Sequence, residues 1–128
     1  MSIIKMLIII LVALEFFYIM YLETLATQST KTSQVFGMTQ ETLGEKEIGV
    51  LFKNQGIYNG LLGLGLLYGL AFNTAIILPI LIYIILVAAY GAYSSNPKIL
   101  LTQGGLAISF AIFISSAMTS SLESIPLR

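Results

Sequence analysis

Long apolar runs alternate with short polar stretches along this chain. The apolar runs cover about residues 3–26, 48–72, 74–93 and 98–120, and are called segments one to four below. Each is close to the roughly 20 residues that a membrane-spanning helix needs. The pattern predicts an all-α fold, an integral membrane four-helix transmembrane bundle that occupies residues 1–128 as a single domain.

The polar stretches between these runs predict the connections. Residues 27–47 combine charges with Ser, Thr and Gly, so they predict one sizeable aqueous loop between the first two helices. Within it, Thr39 is a candidate N-cap of a short interfacial helix. Little more than residues 72–74 separates segments two and three, which therefore form an antiparallel hairpin. The SSNP sequence at 94–97 predicts the third turn.

The basic residues are unequally divided between the two ends of the predicted bundle. Four lie near the first and third loops and two on the opposite side: Lys31, Lys46, Lys53 and Lys98, against Lys5 and Arg128. The positive-inside rule then places the first and third loops in the cytoplasm and both termini outside. The expected location is the plasma membrane, with several crossings.

Composition excludes several classes of function. Hydrophobic residues make up 57% of the chain and charged residues 9%, against roughly 45–50% and about 25% in soluble domains. The net charge is zero, and without a basic cluster we expect no nucleic acid partner. Cysteine, histidine and tryptophan are absent, so we expect no metal site and no cofactor. The expected partners are the lipid bilayer and a small molecule.

The polar residues inside the apolar runs concentrate at one depth. Counting about 1.5 Å per residue from the side of the first loop, Glu15 and Asn59 both lie about 15 Å down, at the middle of the membrane. Gln55, Tyr58, Asn59 and Leu62 are spaced i, i+3, i+4 and i+7, so they share one helix face. A buried carboxyl at this depth is a candidate functional group whose partner must be found.

These arguments give two groups of candidate residues. The predicted ligand or proton site consists of Glu15, Gln55, Tyr58, Asn59, Tyr83 and Gln103, and the predicted pocket rim of Glu23, Asn54 and Lys98. A structural interpretation stays open for each group, because polar side chains also join membrane helices and long side chains near helix ends reach toward water. The spacing of Gly56, Gly60, Gly65 and Gly69 favours close helix packing.

Four sequence motifs carry a resemblance to a known family. They are ALEFFYIMYLE near the start, VFGMT in the first loop, NQGIYNG at the start of segment two and GAYSSNPKILLTQGG across the third turn. Together they resemble a family of small four-helix bacterial membrane proteins known as domain of unknown function 1304. The resemblance implies four helices but no reaction. It marks these motif positions: Glu15, Glu23, Asn54, Gln55, Tyr58, Asn59, Lys98 and Gln103.

Three functions are compatible with this sequence. The first is carrier or channel-like handling of a small molecule or ion around Glu15, for which a homodimer is expected because the bundle is small. The second is an intramembrane acid–base enzyme acting on a lipid-like substrate, with Tyr58 or Lys98 assisting Glu15. The third is a non-catalytic membrane assembly factor that contacts a larger partner through its glycine-rich helix faces. The first is preferred, and an enzyme is less expected because no nucleophile–base pair is visible.

Overall fold

A computed structural model describes residues 1–94, and the regular secondary structure of this part is entirely helical. The elements are α1 (Ile3–Thr24), α2 (Thr30–Phe36), α3 (Gln40–Leu43), α4 (Lys46–Phe72) and α5 (Ile77–Ser94), with a 3-10 turn (Thr74–Ile76) directly before α5. The predicted all-α class is confirmed for this part of the chain. Predicted segment four lies outside the described residues, so the four-helix count stays a prediction.

Two of the helical stretches are long and apolar enough to cross a membrane. They are Ile3–Thr24, with 22 residues, and Thr74–Ser94, with 21. Only 28% and 22% of the residues in their most apolar windows are buried within the protein. The core helix of a soluble protein would be mostly buried, so this large exposed apolar surface indicates association with a membrane.

Helices α1 and α4 pack antiparallel along a glycine-rich face of α4. At one end Gly56 lies against Glu23, and further along Gly63 lies against Ala13, so the residue numbers fall on α1 as they rise on α4. A β-carbon at position 63 would lie only 3.0 Å from the backbone oxygen of Ala13. Gly60, between these two contacts, is buried as well. The small residues let the two backbones approach closely, as predicted for Gly56 and Gly60, while the contact at Gly63 was not predicted.

The apolar core lies where α5 joins this pair of helices. It is formed by side chains of all three long helices: Ile9, Val12, Ala13, Phe16, Leu66, Ile77, Leu81 and Ile84. The apolar positions on α1 and α5 recur every three or four residues, so each helix turns one stripe of side chains toward this core. This packing places the face of α4 that includes Asn59 next to α1 and α5.

The polar loop contains two short helices instead of one. Thr39 caps α3, where the Thr42 backbone N–H donates to its hydroxyl at 3.1 Å, so the predicted N-cap is confirmed. The additional helix α2 has Ser29 as its N-cap, whose hydroxyl accepts from the Thr32 backbone N–H. Gly37 follows its last residue and adopts a left-handed conformation with φ 66°, as is common for a helix-ending glycine.

Hydroxyl groups of this loop bind carbonyl groups at the end of α1 and directly after it. The single hydroxyl hydrogen of the buried Thr32 is shared between the backbone oxygens of Ala26, at 2.7 Å, and Leu22, at 3.2 Å. On the other side, the Phe36 ring packs edge-on against Phe52 of α4, with ring centroids 5.1 Å apart. The loop is therefore fastened both to the end of α1 and to the first half of α4.

The connection between α4 and α5 is as short as predicted. Asn73 follows the last residue of α4, and its side-chain oxygen accepts from the Ala75 backbone N–H. Pro79 lies in the first turn of α5, where a missing backbone N–H leaves no helical hydrogen bond broken. The predicted antiparallel hairpin is confirmed.

A matched pair of glycine substitutions tests the close contact between α1 and α4. Gly63→Ala should lower the free energy of unfolding in detergent by about 1 kcal/mol or more, because the new methyl group meets the Ala13 backbone. Gly49→Ala is the control, since its methyl group would meet only an ordinary contact at 3.9 Å, and it should leave the melting temperature unchanged or raise it. Equal melting of both variants would contradict the close packing.

Candidate functional site

A hydrogen bond between two buried polar side chains joins α1 to α4. The side-chain nitrogen of Asn59 donates to Oε2 of Glu23 at 2.6 Å. Glu23 is only 2% exposed and Asn59 5%. Removing either partner would leave the other buried and without this bond, which is costly in a water-poor interior.

The local sequence explains why Glu23 occupies this position. It belongs to the last turn of α1 and lies opposite Gly56, where a larger residue would not fit. Its backbone oxygen accepts from the hydroxyl of Thr27 at 2.7 Å. Glu23 is therefore fixed by its helix end, by the hydroxyl that follows it and by Asn59.

This arrangement corrects two expectations for the acidic residues. Glu23 is buried between the helices, whereas the sequence analysis assigns it to the pocket rim. The hydrogen bond of Asn59 goes to Glu23 and not to Glu15, which precedes Glu23 by eight positions, about 12 Å along the helix axis. The depth count pairs Glu15 with Asn59 because it starts both helices at one level, whereas the contacts of Gly56 with Glu23 and of Gly63 with Ala13 show that α1 and α4 are offset along their axes.

Glu15 is half-buried on α1, in the run of turns that forms the apolar core. Its Oε2 atom is buried and has no hydrogen-bond partner among residues 1–94. The predicted partners Gln55 and Tyr83 line a different surface, described next. Within the described residues, Glu15 and the amides of α4 do not form one cluster.

A cavity of about 240 Å³ lies beside Asn59, between α4 and α5. Its walls come from α1, α4 and α5: Phe16, Gln55, Tyr58, Asn59, Leu62, Tyr83, Ile84, Val87 and Ala88. The predicted shared face of Gln55, Tyr58, Asn59 and Leu62 is thus present, and Tyr83 joins it from α5. Four of the predicted ligand-site residues meet here.

The polar side chains that line this cavity differ in exposure to solvent. Asn59 is buried, while Gln55 is exposed and the Tyr58 and Tyr83 side chains are 66% and 54% exposed. Asn54 is exposed and is not among the lining residues. The predicted site residue Gln103 and the predicted rim residue Lys98 lie outside the described part of the chain.

The apolar half of the cavity wall was not predicted from the sequence. It consists of residues inside apolar runs, where nothing sets them apart from their neighbours: Phe16, Ile84, Val87 and Ala88. A signal was available on α5, because Ile84, Val87 and Ala88 are spaced i, i+3 and i+4 and adjoin Tyr83. Which of the several apolar stripes faces a cavity is decided by helix packing.

The cavity combines aromatic rings with uncharged hydrogen-bonding groups. Two amides and two phenol hydroxyls supply both donors and acceptors, and the described lining includes no Lys, Arg, Asp or Glu. Within residues 1–94, no group of three or more metal-ligating side chains comes together. The nearby carboxyl of Glu23 is connected to the cavity through Asn59, which belongs to both. This arrangement suits reversible binding of a small amphipathic molecule or ion.

Comparison with known proteins assigns this sequence to a family. The family described as "Protein of unknown function (DUF1304)" matches residues 10–115. The chain belongs to this family. The matched range includes both acidic residues of α1 and all the described residues that line the cavity, and it confirms the resemblance based on the four sequence motifs.

A similar protein is known but carries no assigned activity. An "Uncharacterized protein YpaA" of Lactococcus lactis subsp. lactis (strain IL1403) is 60% identical over 111 residues, which cover 84% of this chain and 93% of that protein. No solved structure matches the chain.

A double-mutant cycle measures the bond between α1 and α4. Glu23→Leu and Asn59→Leu should each reduce the free energy of unfolding in detergent by about 1–3 kcal/mol, because each leaves a buried polar partner unsatisfied. The double variant should lose less than the sum of the two single variants, by at least about 0.5 kcal/mol. Additive losses, measured by thermal or chemical unfolding, would show that the two side chains do not interact.

Proposed function

We propose that the protein is a multi-pass integral membrane protein that carries or conducts a small molecule or ion through the cavity beside Asn59. In this proposal α1, α4 and α5 cross the membrane together with predicted segment four, as a four-helix bundle in the plasma membrane. The bundle is small, so the working form is expected to be a homodimer.

The observation that carries the proposal is the meeting of four polar side chains at one cavity in an otherwise apolar protein. Gln55, Tyr58 and Asn59 come from α4 and Tyr83 from α5. Polar groups at membrane depth are costly, and they commonly mark the paths of substrates and ions. A purely structural role would be satisfied by the bond from Asn59 to Glu23 alone and gives no reason for the other three groups.

Asn59 links the cavity to an ionisable group. One of its amide hydrogens is donated to Glu23, which leaves its oxygen and second hydrogen available to a ligand. A ligand that binds Asn59 competes with Glu23 for the amide, or polarises the same amide and strengthens that bond. Occupancy of the cavity and the contact between α1 and α4 are then energetically coupled.

The lining of the cavity supports a carrier more than an enzyme. An acid–base enzyme needs a carboxyl that reaches its substrate, yet neither Glu15 nor Glu23 is among the residues that line the described cavity. Binding and release need only the amides and phenols that are present. An intramembrane enzyme or a non-catalytic assembly factor remains the alternative if no solute moves.

The proposed topology has a direct test. In cysteine accessibility experiments on a chain that has no natural cysteine, Ser2→Cys should be labelled from outside the cell. Thr30→Cys, at the start of α2 in the polar loop, should be labelled only after permeabilisation, because α1 separates the two positions. Labelling of both positions from the same side would remove the multi-pass arrangement, and the inverted pattern would reverse only the orientation.

Charge movement by purified protein tests transport itself. Proteoliposomes on a solid-supported membrane should give capacitive currents when Na⁺, K⁺ or small organic cations or anions are added, for at least one of these solute classes. Glu23→Gln should reduce that current about tenfold or more, because it removes the ionisable group behind Asn59. Glu41→Gln, on the exposed surface of α3, is the control and should retain it.

A companion variant separates the two acidic residues of α1. Glu15→Gln with an unchanged current and an unchanged melting temperature would leave Glu15 as a structural residue. The same result for Glu23→Gln, or the absence of any current above that of empty liposomes, would contradict the movement of charged solutes through this cavity.

A further inference from the structure

The aromatic side chains of the cavity form a group of their own. Phe16 of α1, Tyr58 of α4 and Tyr83 of α5 all belong to its lining, so each of the three long helices contributes one ring. Aromatic faces carry negative electrostatic potential and attract cations that approach them, most strongly where water is scarce. Aromatic side chains that line a small cavity from several sides are a known way to bind alkylated ammonium groups.

The polar groups near the rings favour the same sign of charge. Asn59 donates to Glu23 through its side-chain nitrogen, so its side-chain oxygen is free to accept from a ligand or to contact a cation. Glu23 itself is buried behind Asn59. The wall thus presents an oxygen, and an acidic group lies one hydrogen bond behind it.

An anion has no comparable partner here. Among the described residues the lining includes neither Lys nor Arg, and its backbone N–H groups belong to helix interiors, where they are already used. A carboxylate or phosphate would lose its hydration without gaining a charged donor. A neutral molecule would fit the apolar wall but would make no use of the carboxyl.

From this placement we infer that the cavity binds a small organic cation, an alkylated ammonium group held between the rings of Tyr58 and Tyr83 with Asn59 and Glu23 behind it. Ile84, Val87 and Ala88 supply the apolar wall for the alkyl groups. This inference deepens the proposed function, because it takes the same cavity as the binding site and names the class of its ligand.

Binding of phenyltrimethylammonium to the full chain in lipid nanodiscs tests the inference. Benzenesulfonate and benzyl alcohol serve as the anionic and neutral probes, and empty nanodiscs correct for partition into lipid. The cation should bind at least about tenfold more tightly than either comparison probe, because only the cation gains from both the rings and the carboxyl.

Variants locate the bound cation. Tyr58→Leu and Tyr83→Leu should each weaken its binding about 3- to 30-fold, while Tyr83→Phe should change it by no more than about twofold, because phenylalanine keeps the aromatic face. Tyr90→Leu is the matched control, since Tyr90 is 71% exposed on the same helix and does not line the cavity. Glu23→Gln should weaken the cation about tenfold and leave benzyl alcohol unaffected.

The possible outcomes separate this inference from the proposed function. Preferential binding of the anion or the neutral probe would overturn it. Cation binding by Tyr58→Leu and Tyr83→Leu that is as tight as binding by the unchanged chain would overturn it too. Currents carried only by anions would also overturn it while transport stands. Cation binding that follows the variant pattern without any current would support the ligand class and contradict transport.

Discussion

The close approach of α1 and α4 is the constraint on which the remaining structure depends. It is possible because α4 presents Gly56, Gly60 and Gly63 where a side chain would otherwise separate the helices. In the proposed membrane arrangement, dispersion contacts between these closely packed backbones replace the hydrophobic effect, which is weak between helices in lipid. The short distance also brings the Asn59 amide within reach of Glu23, so the polar bond is a consequence of the small residues.

The geometry of the cavity also depends on the contact between α1 and α4, through Asn59. Asn59 is held by Glu23 on one side and borders the open volume on the other. A residue that is shared in this way gives a site a defined geometry, because its rotamer is set by a bond outside the site. It also makes the site sensitive to any shift of α1, although α1 supplies only Phe16 to the described cavity wall.

The sequence predicts the helices and the shared polar face of α4, but it does not predict how α1 and α4 are offset against each other. The apolar runs and the short turn at Asn73 are local properties, and they predict the three long helices of the described part closely. The shared face of Gln55, Tyr58 and Asn59 follows from helical periodicity alone. The partner of Asn59 does not, because it depends on how far α1 and α4 are offset. That offset is set by the folded loop, whose helix α2 was not predicted, and by the positions of the glycines on α4.

The hydroxyl groups that close the end of α1 have a consequence for its depth in a bilayer. A helix end normally needs water or headgroups to satisfy its last carbonyl groups, which ties it to the membrane surface. Here Thr27 and Thr32 bind the carbonyls of Leu22, Glu23 and Ala26 from within the chain. In the proposed membrane arrangement these carbonyls can lie below the headgroups without water, while the exposed charges of the attached loop, Lys31 and Glu41 among them, stay at the surface. The level of this helix end in a bilayer is then set by the charged loop and not by the carbonyls.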